Sequence, residues 1–316
     1  MIRSLATRLV HSLVSLLSVS LLCFALLRAA PGDYFTALRL EPGLSRQTLR
    51  SIEQQADPGS SLVRRYVRWC GAVLHGDFGI SLAYHMPVRS LVMDRILNTL
   101  LLAGTGLFLA WLIGLIAGLL RGQPRAFVQM CSSLLWSIPE PVLALLLLFA
   151  ALRLHALASL RIDDAGPVTS WGHWRNLAQQ IALPALAMTL SYLPLVLRHV
   201  QSGLEAAQHA PAVEAAHAHG IPSRTLLLHY ILPETANPLI SLLGLSVGSL
   251  LSASLFIEVL FGWPGLGQIL LSAILMRDTN IVVAGVFASA TILILGNLLS
   301  DLLLWFHDPR LRGAAL

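Results

Sequence analysis

The chain has 316 residues, of which 56% are hydrophobic and only 12% charged, with 21 basic residues, all of them Arg, against 16 acidic ones for a net charge of +5. Soluble domains carry about 25% charged residues, so this composition cannot dress a soluble domain of this size. The absence of Lys excludes a Walker-type phosphate loop, Schiff-base chemistry and pyridoxal chemistry on this polypeptide.

Six apolar runs stand out, at residues 9–27, 97–120, 127–152, 177–197, 236–260 and 281–306. Each is about long enough to cross a hydrocarbon core of roughly 30 Å as a helix. They are too long and too continuously apolar for barrel strands. The spacing predicts an all-α integral membrane protein with six transmembrane helices. Three stretches follow: a tail and first span over 1–28, an ordered outer loop over 29–96, and a five-helix membrane core over 97–316.

The first run follows Arg3 and Arg8 and precedes Arg28-Ala29-Ala30. At roughly 19 residues it exceeds the 7–15 of a signal-peptide core, and an Arg stands where a small residue should precede a cut. It is therefore expected to be an uncleaved span with a cytoplasmic N-terminus. Six spans then put Arg121, Arg125, Arg198, Arg224, Arg310 and Arg312 on the cytoplasmic side, and the C-terminus with them. The loop 153–176 runs against this rule through Arg153, Arg161 and Arg175, partly offset by Asp163 and Asp164.

In the outer loop, Ser45 suits an N-cap for a helix over 47–56, which Asp57-Pro58-Gly59 ends. Val63, Tyr66, Val67, Cys70, Val73 and Leu74 recur at helical spacing with Arg64, Arg65 and Arg68 toward the other face. That pattern predicts an amphipathic helix over 60–75, lying on the membrane or spans, or docking an outer partner. The cysteines Cys23, Cys70 and Cys131 form no CxxC and predict neither a metal site nor a structural disulfide.

Pro139 and Pro141 flank Glu140 and must disturb the third span locally. Glu140, Glu258 and Asp301 lie in or beside apolar runs, where carboxylates mark either polar paths or interhelical bonds. Asn297 stands one turn before Asp301, on the same face. Glu140, Asn297 and Asp301 are the candidates for a translocation path, and Glu258 for a structural bond to the loop after it. Gly244-Leu245-Ser246-Val247-Gly248 fits the pattern of a hydrolase nucleophile elbow. It falls mid-span rather than on a strand-to-helix turn, however, and is read as helix packing. No catalytic residue is assigned.

The segment 199–235 is the longest cytoplasmic connection. Val213–His219 reads as a short helix of small residues, Gly220 fits a helix end that needs φ > 0, and Pro222-Ser223 suit a second helix start. Leu226, Leu227, Ile231 and Leu232 give that second helix an apolar stripe. The result is a helix–Gly–helix elbow whose alanines permit close approach by another protein. The neighbouring His199, His209, His217, His219 and His229 match no zinc spacing. His217 and His219 would instead make an interface sensitive to pH, since free His titrates near pH 6.5.

At these residues, Glu214-Ala215-Ala216, then Gly220, then Tyr230-Ile231-Leu232-Pro233, the chain resembles the integral-membrane permeases of ATP-binding-cassette importers. Their hallmark is E-A-A, three residues, G, nine residues, I-x-L-P; only Tyr230 departs from it. Further similarities narrow the branch: Pro31-Gly32-Asp33, Gly76-Asp77-Phe78-Gly79-Ile80-Ser81, Pro87-Val88, Thr99-Leu100, Pro264-Gly265-Leu266-Gly267, Arg277-Asp278 and Asp308-Pro309-Arg310. They look like the dipeptide, oligopeptide and nickel permeases, and the long outer loop looks like the B-type subunit of that pair. His217 and His219 stand where the branch usually carries Arg or Lys.

The resemblance implies a multi-pass protein of the bacterial cytoplasmic (inner) membrane that is not itself an enzyme. It implies a heterodimer with a second homologous permease, two cytoplasmic ATPase subunits that hold ATP and Mg, and an extracytoplasmic solute-binding protein. It implies no cofactor in this chain and no nucleic acid. Glu214, Ala215, Ala216, His217, His219, Gly220, Ile221 and Pro222 would dock the ATPase, and transport would proceed by alternating access. Peptides are the expected cargo, with nickel or another small solute as the alternative. The rival class is an ion-coupled secondary transporter using Glu140 or Asp301, which would have no need of a docking elbow.

Overall fold

A computed structural model of the chain describes residues 2–29, 62–120, 122–154 and 171–307. Among these residues all regular structure is helical: α1 (Ile2–Ala29), α2 (Leu62–Leu74), α3 (Val88–Gly118), α4 (Gln123–Ser137), α5 (Glu140–Arg153), α6 (Trp171–Gln208), α7 (Pro211–Ala218), α8 (Ser223–Phe261), α9 (Leu266–Leu275) and α10 (Thr279–His307). Five of them, α1, α3, α6, α8 and α10, are long and apolar enough to cross a membrane. The expected helix over 47–56 with its Ser45 cap, Pro31-Gly32-Asp33, Arg121, Arg161–Asp164, and Asp308–Arg312 lie outside the described residues.

The third expected span is not one straight helix. α4 and α5 meet at a bend of 105°. The cause is local: Ile138 precedes Pro139, whose ring disfavours the helical region for the residue before it. Ile138 accordingly sits at φ −94°, ψ 122°, and Pro139 is extended in turn at ψ 139° before α5 starts. Counted as one broken span, this pair brings the candidate crossings to six.

The chain forms two compact units. One comprises Leu100–Trp263 and Leu293–Leu316, the other Ile2–Thr99 and Pro264–Ile292. In the first, α6 and α8 are the central pair. A row of small residues on α3, Gly106, Ala110, Gly114 and Gly118, repeats every fourth position and so lies along one face. An added Cβ at Gly106, Gly114 or Gly118 would sit 2.7, 2.7 or 2.4 Å from Met188, Val196 or Val200 of α6. α8 and α10 approach in the same way, through Gly244 against Ser300, Gly248 against Leu293 and Gly296 against Val247. Ser300 donates its hydroxyl to the Ile240 carbonyl at 2.7 Å. The Gly-x-Ser-x-Gly pattern is therefore packing: buried Ser246 donates to the Leu242 carbonyl and accepts the Tyr192 hydroxyl at 2.5 Å.

In the second unit, motifs scattered through the sequence converge on one buried carboxylate. Asp278 is fully buried. It accepts the Ser81 hydroxyl at 2.6 Å, the Ala83 N–H at 3.0 Å, and the Ile281 N–H at the start of α10. Asn280 donates to the Ile80 carbonyl, Asn98 to the Pro264 carbonyl, and the Leu266 N–H to Thr99 Oγ1. The stretch from Gly76 to Ser81 is thus tied to α10, and the Pro264–Gly267 turn to α3.

α2 forms where its spacing predicts, and Tyr66, Cys70 and Val73 of the expected apolar face are half-buried while its other members are exposed. Val63, Val67 and Leu74 are 68%, 63% and 87% exposed. Tyr66 and Trp69 pack inward instead, each edge-on to Phe24 of α1, with Trp69 also edge-on to Phe287. Aromatic rings bury more apolar area than valines, and the Tyr66 hydroxyl adds a bond to the Leu17 carbonyl. Burial raises the Tyr66 pKa, so the phenol stays protonated.

The glycine row on α3 gives a direct test. Gly114→Leu should destabilise the purified chain by about 1–3 kcal/mol through overpacking. Gly104→Ala, where an added Cβ meets nothing within 4 Å, should be neutral or slightly stabilising. Thermal unfolding in detergent reads both.

Candidate functional site

The segment expected as an inner loop is mostly helix. At 38 residues, α6 is about 57 Å long at 1.5 Å per residue, well beyond a hydrocarbon core of roughly 30 Å. Its end carries Gln201, Glu205 and Gln208 past the apolar run. α8 begins at Ser223 and runs 39 residues. Between these two helices stands α7, only 8 residues long.

Each turn of the elbow has a local cause. Ala210 is extended (φ −68°, ψ 137°) and Pro211 opens α7, a position where its missing N–H costs nothing and its fixed φ is already helical. Glu214 lies in the first turn, where a carboxylate complements the helix dipole. At the other end Gly220 has φ +74°. Its N–H bonds to the His217 carbonyl at 3.0 Å, and the Ile221 N–H bonds to the Ala216 carbonyl at 3.3 Å. That pair of bonds is a Schellman cap, which needs a left-handed residue and so favours glycine. Pro222, at ψ 141°, is the N-cap of α8.

The short helix has two faces. Val213 and Ala216, three residues apart, are 4% and 7% exposed and belong to the same core cluster as Leu204 and Ala207 of α6 and Leu226 and Ile231 of α8. Glu214, Ala215, His217, His219, Gly220 and Pro222 are exposed. The expected docking set therefore divides: Ala216, with half-buried Ile221, faces the chain's own helices and anchors α7, while the others face outward.

The Leu-Pro of the hallmark also has a structural effect. Leu227–Ile231 is a single π turn, closed by the Leu232 N–H bonding to the Leu227 carbonyl five residues back. Pro233 follows, and a proline ring clashes with the carbonyl four residues before it. The wider turn relieves that clash at His229 without breaking α8. Tyr230, the one departure from the pattern, packs partly buried against the core cluster in this turn.

A ladder on α4 and α6, not foreseen from the sequence, braces the elbow from behind. Arg125 pairs with Glu205, Gln129 donates to Gln201 at 3.1 Å, and the Arg198 guanidinium lies 5.2 Å over the Trp136 ring. The signal was the four-residue spacing of Arg125 and Gln129, matched by that of Gln201 and Glu205. His199 is occupied within α6, with Nδ1 2.9 Å from the Leu195 carbonyl. Among the described residues no three His, Cys, Asp or Glu side chains gather as a metal site.

The path candidates are not part of the elbow. Glu140 is exposed in the first turn of α5, at the bend. Asn297 and half-buried Asp301 lie on α10, and Asn297 Oδ1 abuts Gly244 of α8. Glu258 is fully buried near the end of α8, before the left-handed Gly262.

Comparison with known proteins agrees with this architecture. The family described as "Binding-protein-dependent transport system inner membrane component" matches residues 110–313. The chain is similar to the dipeptide transport system permease protein DppB of Escherichia coli K12, 26% identical over 336 residues and 99% of each chain. It is also similar to the oligopeptide transport system permease protein AppB of Bacillus subtilis, 27% identical over 96% of this chain and 98% of that one. The nickel import system permease protein NikB of Staphylococcus aureus MRSA252 is 27% identical over 98% of this chain and 92% of its own.

Gly220 separates the cost of folding from that of docking. An added Cβ there meets nothing within 4 Å, so only the left-handed backbone opposes a side chain. Gly220→Val should destabilise the isolated chain by about 1–2 kcal/mol, and Gly220→Asn by less. Thermal unfolding of the two variants checks this order.

Proposed function

This chain belongs to the binding-protein-dependent transport system inner membrane components, the multi-pass inner-membrane subunits of ATP-driven importers, and on that premise we propose that α7 is the helix through which a separate ATPase subunit drives it. The observation that carries the reading is the two-faced α7. Glu214, Ala215, His217 and His219 stand outward on a short rigid helix, while Val213 and Ala216 lock it to the inner ends of α6 and α8. A push on the outer face is then delivered to both long helices together.

In this reading the two termini and the elbow are cytoplasmic. A second homologous permease completes a heterodimer, and two ATPase subunits hold ATP and Mg. Closure of the ATPase dimer draws α7 toward its counterpart on the other permease, the spans open outward to an extracytoplasmic solute-binding protein, and hydrolysis resets them. The bend at Pro139-Glu140-Pro141 interrupts the helix beside an exposed carboxylate, as suits the wall of a polar path. Asn297 and Asp301 are weaker candidates, because Asn297 faces α8.

Peptides, di- or oligopeptides, are the proposed cargo, supported by the names of DppB and AppB. NikB keeps nickel as the alternative.

The test is a substitution on the outward face that leaves the anchor intact. Ala215→Arg in the assembled transporter should cut transport-coupled ATPase activity at least about tenfold, the loss of some 1.4 kcal/mol of contact, with the unfolding temperature of the permease unchanged. Undiminished coupled activity would refute the assignment, as would solute uptake by the chain in vesicles free of any ATPase.

A further inference from the structure

We propose that a cleft beside the elbow is a binding site for the phosphate headgroup of an anionic phospholipid, with Arg224 and Arg125 as its donors. This rests on the cytoplasmic placement of the elbow. The cleft, of about 200 Å³, lies where α3 ends at Gly118 and is walled by the last turns of α6 and the first turn of α8. Leu119 and Leu120 of its wall are the last residues of the apolar run 97–120.

The chemistry of the walls is that of an amphiphile site. Leu119, Leu120, Leu204 and Leu227 line it with apolar surface, and Arg125 and Arg224 add two cations against the one carboxylate of Glu205. Arg224 is exposed and has no carboxylate partner among the described residues. Arg125 spends one nitrogen on Glu205, and a guanidinium carries five N–H donors in all. Gln201, 9% exposed and tied through its Oε1 to Gln129, is part of the wall rather than a donor, since its Nε2 is closed to solvent. Basic pockets between spanning helices on the cytoplasmic side suit anionic headgroups. A free phosphate would satisfy the donors but make no use of the leucines. A phospholipid uses both, and its occupancy would brace the end of α6 against the start of α8, the two helices that carry α7.

The test is native mass spectrometry of the full chain with its companion subunits, loaded with phosphatidylglycerol or with phosphatidylcholine. Wild type should retain phosphatidylglycerol in preference. Arg224→Gln should weaken that retention roughly five-fold, the worth of one cation near an anionic lipid, with Arg224→Lys keeping most of it and Arg65→Gln, on α2, leaving it unchanged. Equal retention by wild type and Arg224→Gln would overturn the proposal. So would loss of all phosphatidylglycerol preference when inorganic phosphate is added, which would mark a free-anion site. Failure of an ATPase to co-purify would count against the importer reading alone, since the lipid is counted on this chain.

Discussion

A helix of two turns does not hold itself together in water, because nucleation costs more than so few bonds return. α7 exists because Val213 and Ala216 are buried among side chains of α6 and α8 and because Gly220 closes its end. The same two contacts that fold α7 also tie it to the membrane. Its stability and, in the proposed reading, its capacity to transmit force are thus one interaction seen twice. The side chains of Ala215, His217 and His219 take no part in these contacts, and in the proposed reading they are the ones that meet the ATPase.

Transmission further requires that α6 and α8 move as solid bodies. Within lipid there is little hydrophobic gain in bringing helices together, so close van der Waals packing between small residues has to do it. The glycine row of α3 against Met188, Val196 and Val200, and the glycines of α8 and α10 at their crossing, supply that closeness. Polar bonds such as Tyr192 to Ser246 and Ser300 to the Ile240 carbonyl add directionality. The ladder from Arg125 to Glu205 and from Gln129 to Gln201 continues the bracing beyond the apolar run.

Much of this was legible in the residues. The spans follow from apolar length, and the elbow from Gly220 and Pro222, whose backbone demands are local; Pro211, which opens α7 two residues before the expected start, was not read. The break at Pro139 was legible as a disturbance, but its 105° angle was not, because a proline fixes its neighbours' dihedrals and leaves the path of the next helix to packing. The face of α2 was legible in part: Tyr66, Cys70 and Val73 turn inward as their spacing suggests, whereas Trp69, which also packs inward, was not counted, and Val63, Val67 and Leu74 stand exposed. The division of the Glu-Ala-Ala segment into an anchoring and an outward face was hidden as well. Adjacent alanines look alike until the position of α6 and α8 decides which one turns inward. Asp278 was legible only as half of an Arg-Asp pair; its role depends on Ser81, nearly two hundred residues away.

The account turns on whether the outward face of α7 is covered by a motor subunit. The direct measurement is maleimide labelling of His217→Cys, in a chain whose Cys23, Cys70 and Cys131 are replaced, with and without the purified ATPase. The account predicts fast labelling of the chain alone, strong protection once the ATPase binds, and no change at a Leu74→Cys control on α2. Equal labelling of His217→Cys in both states, with the complex shown to be assembled, would contradict it.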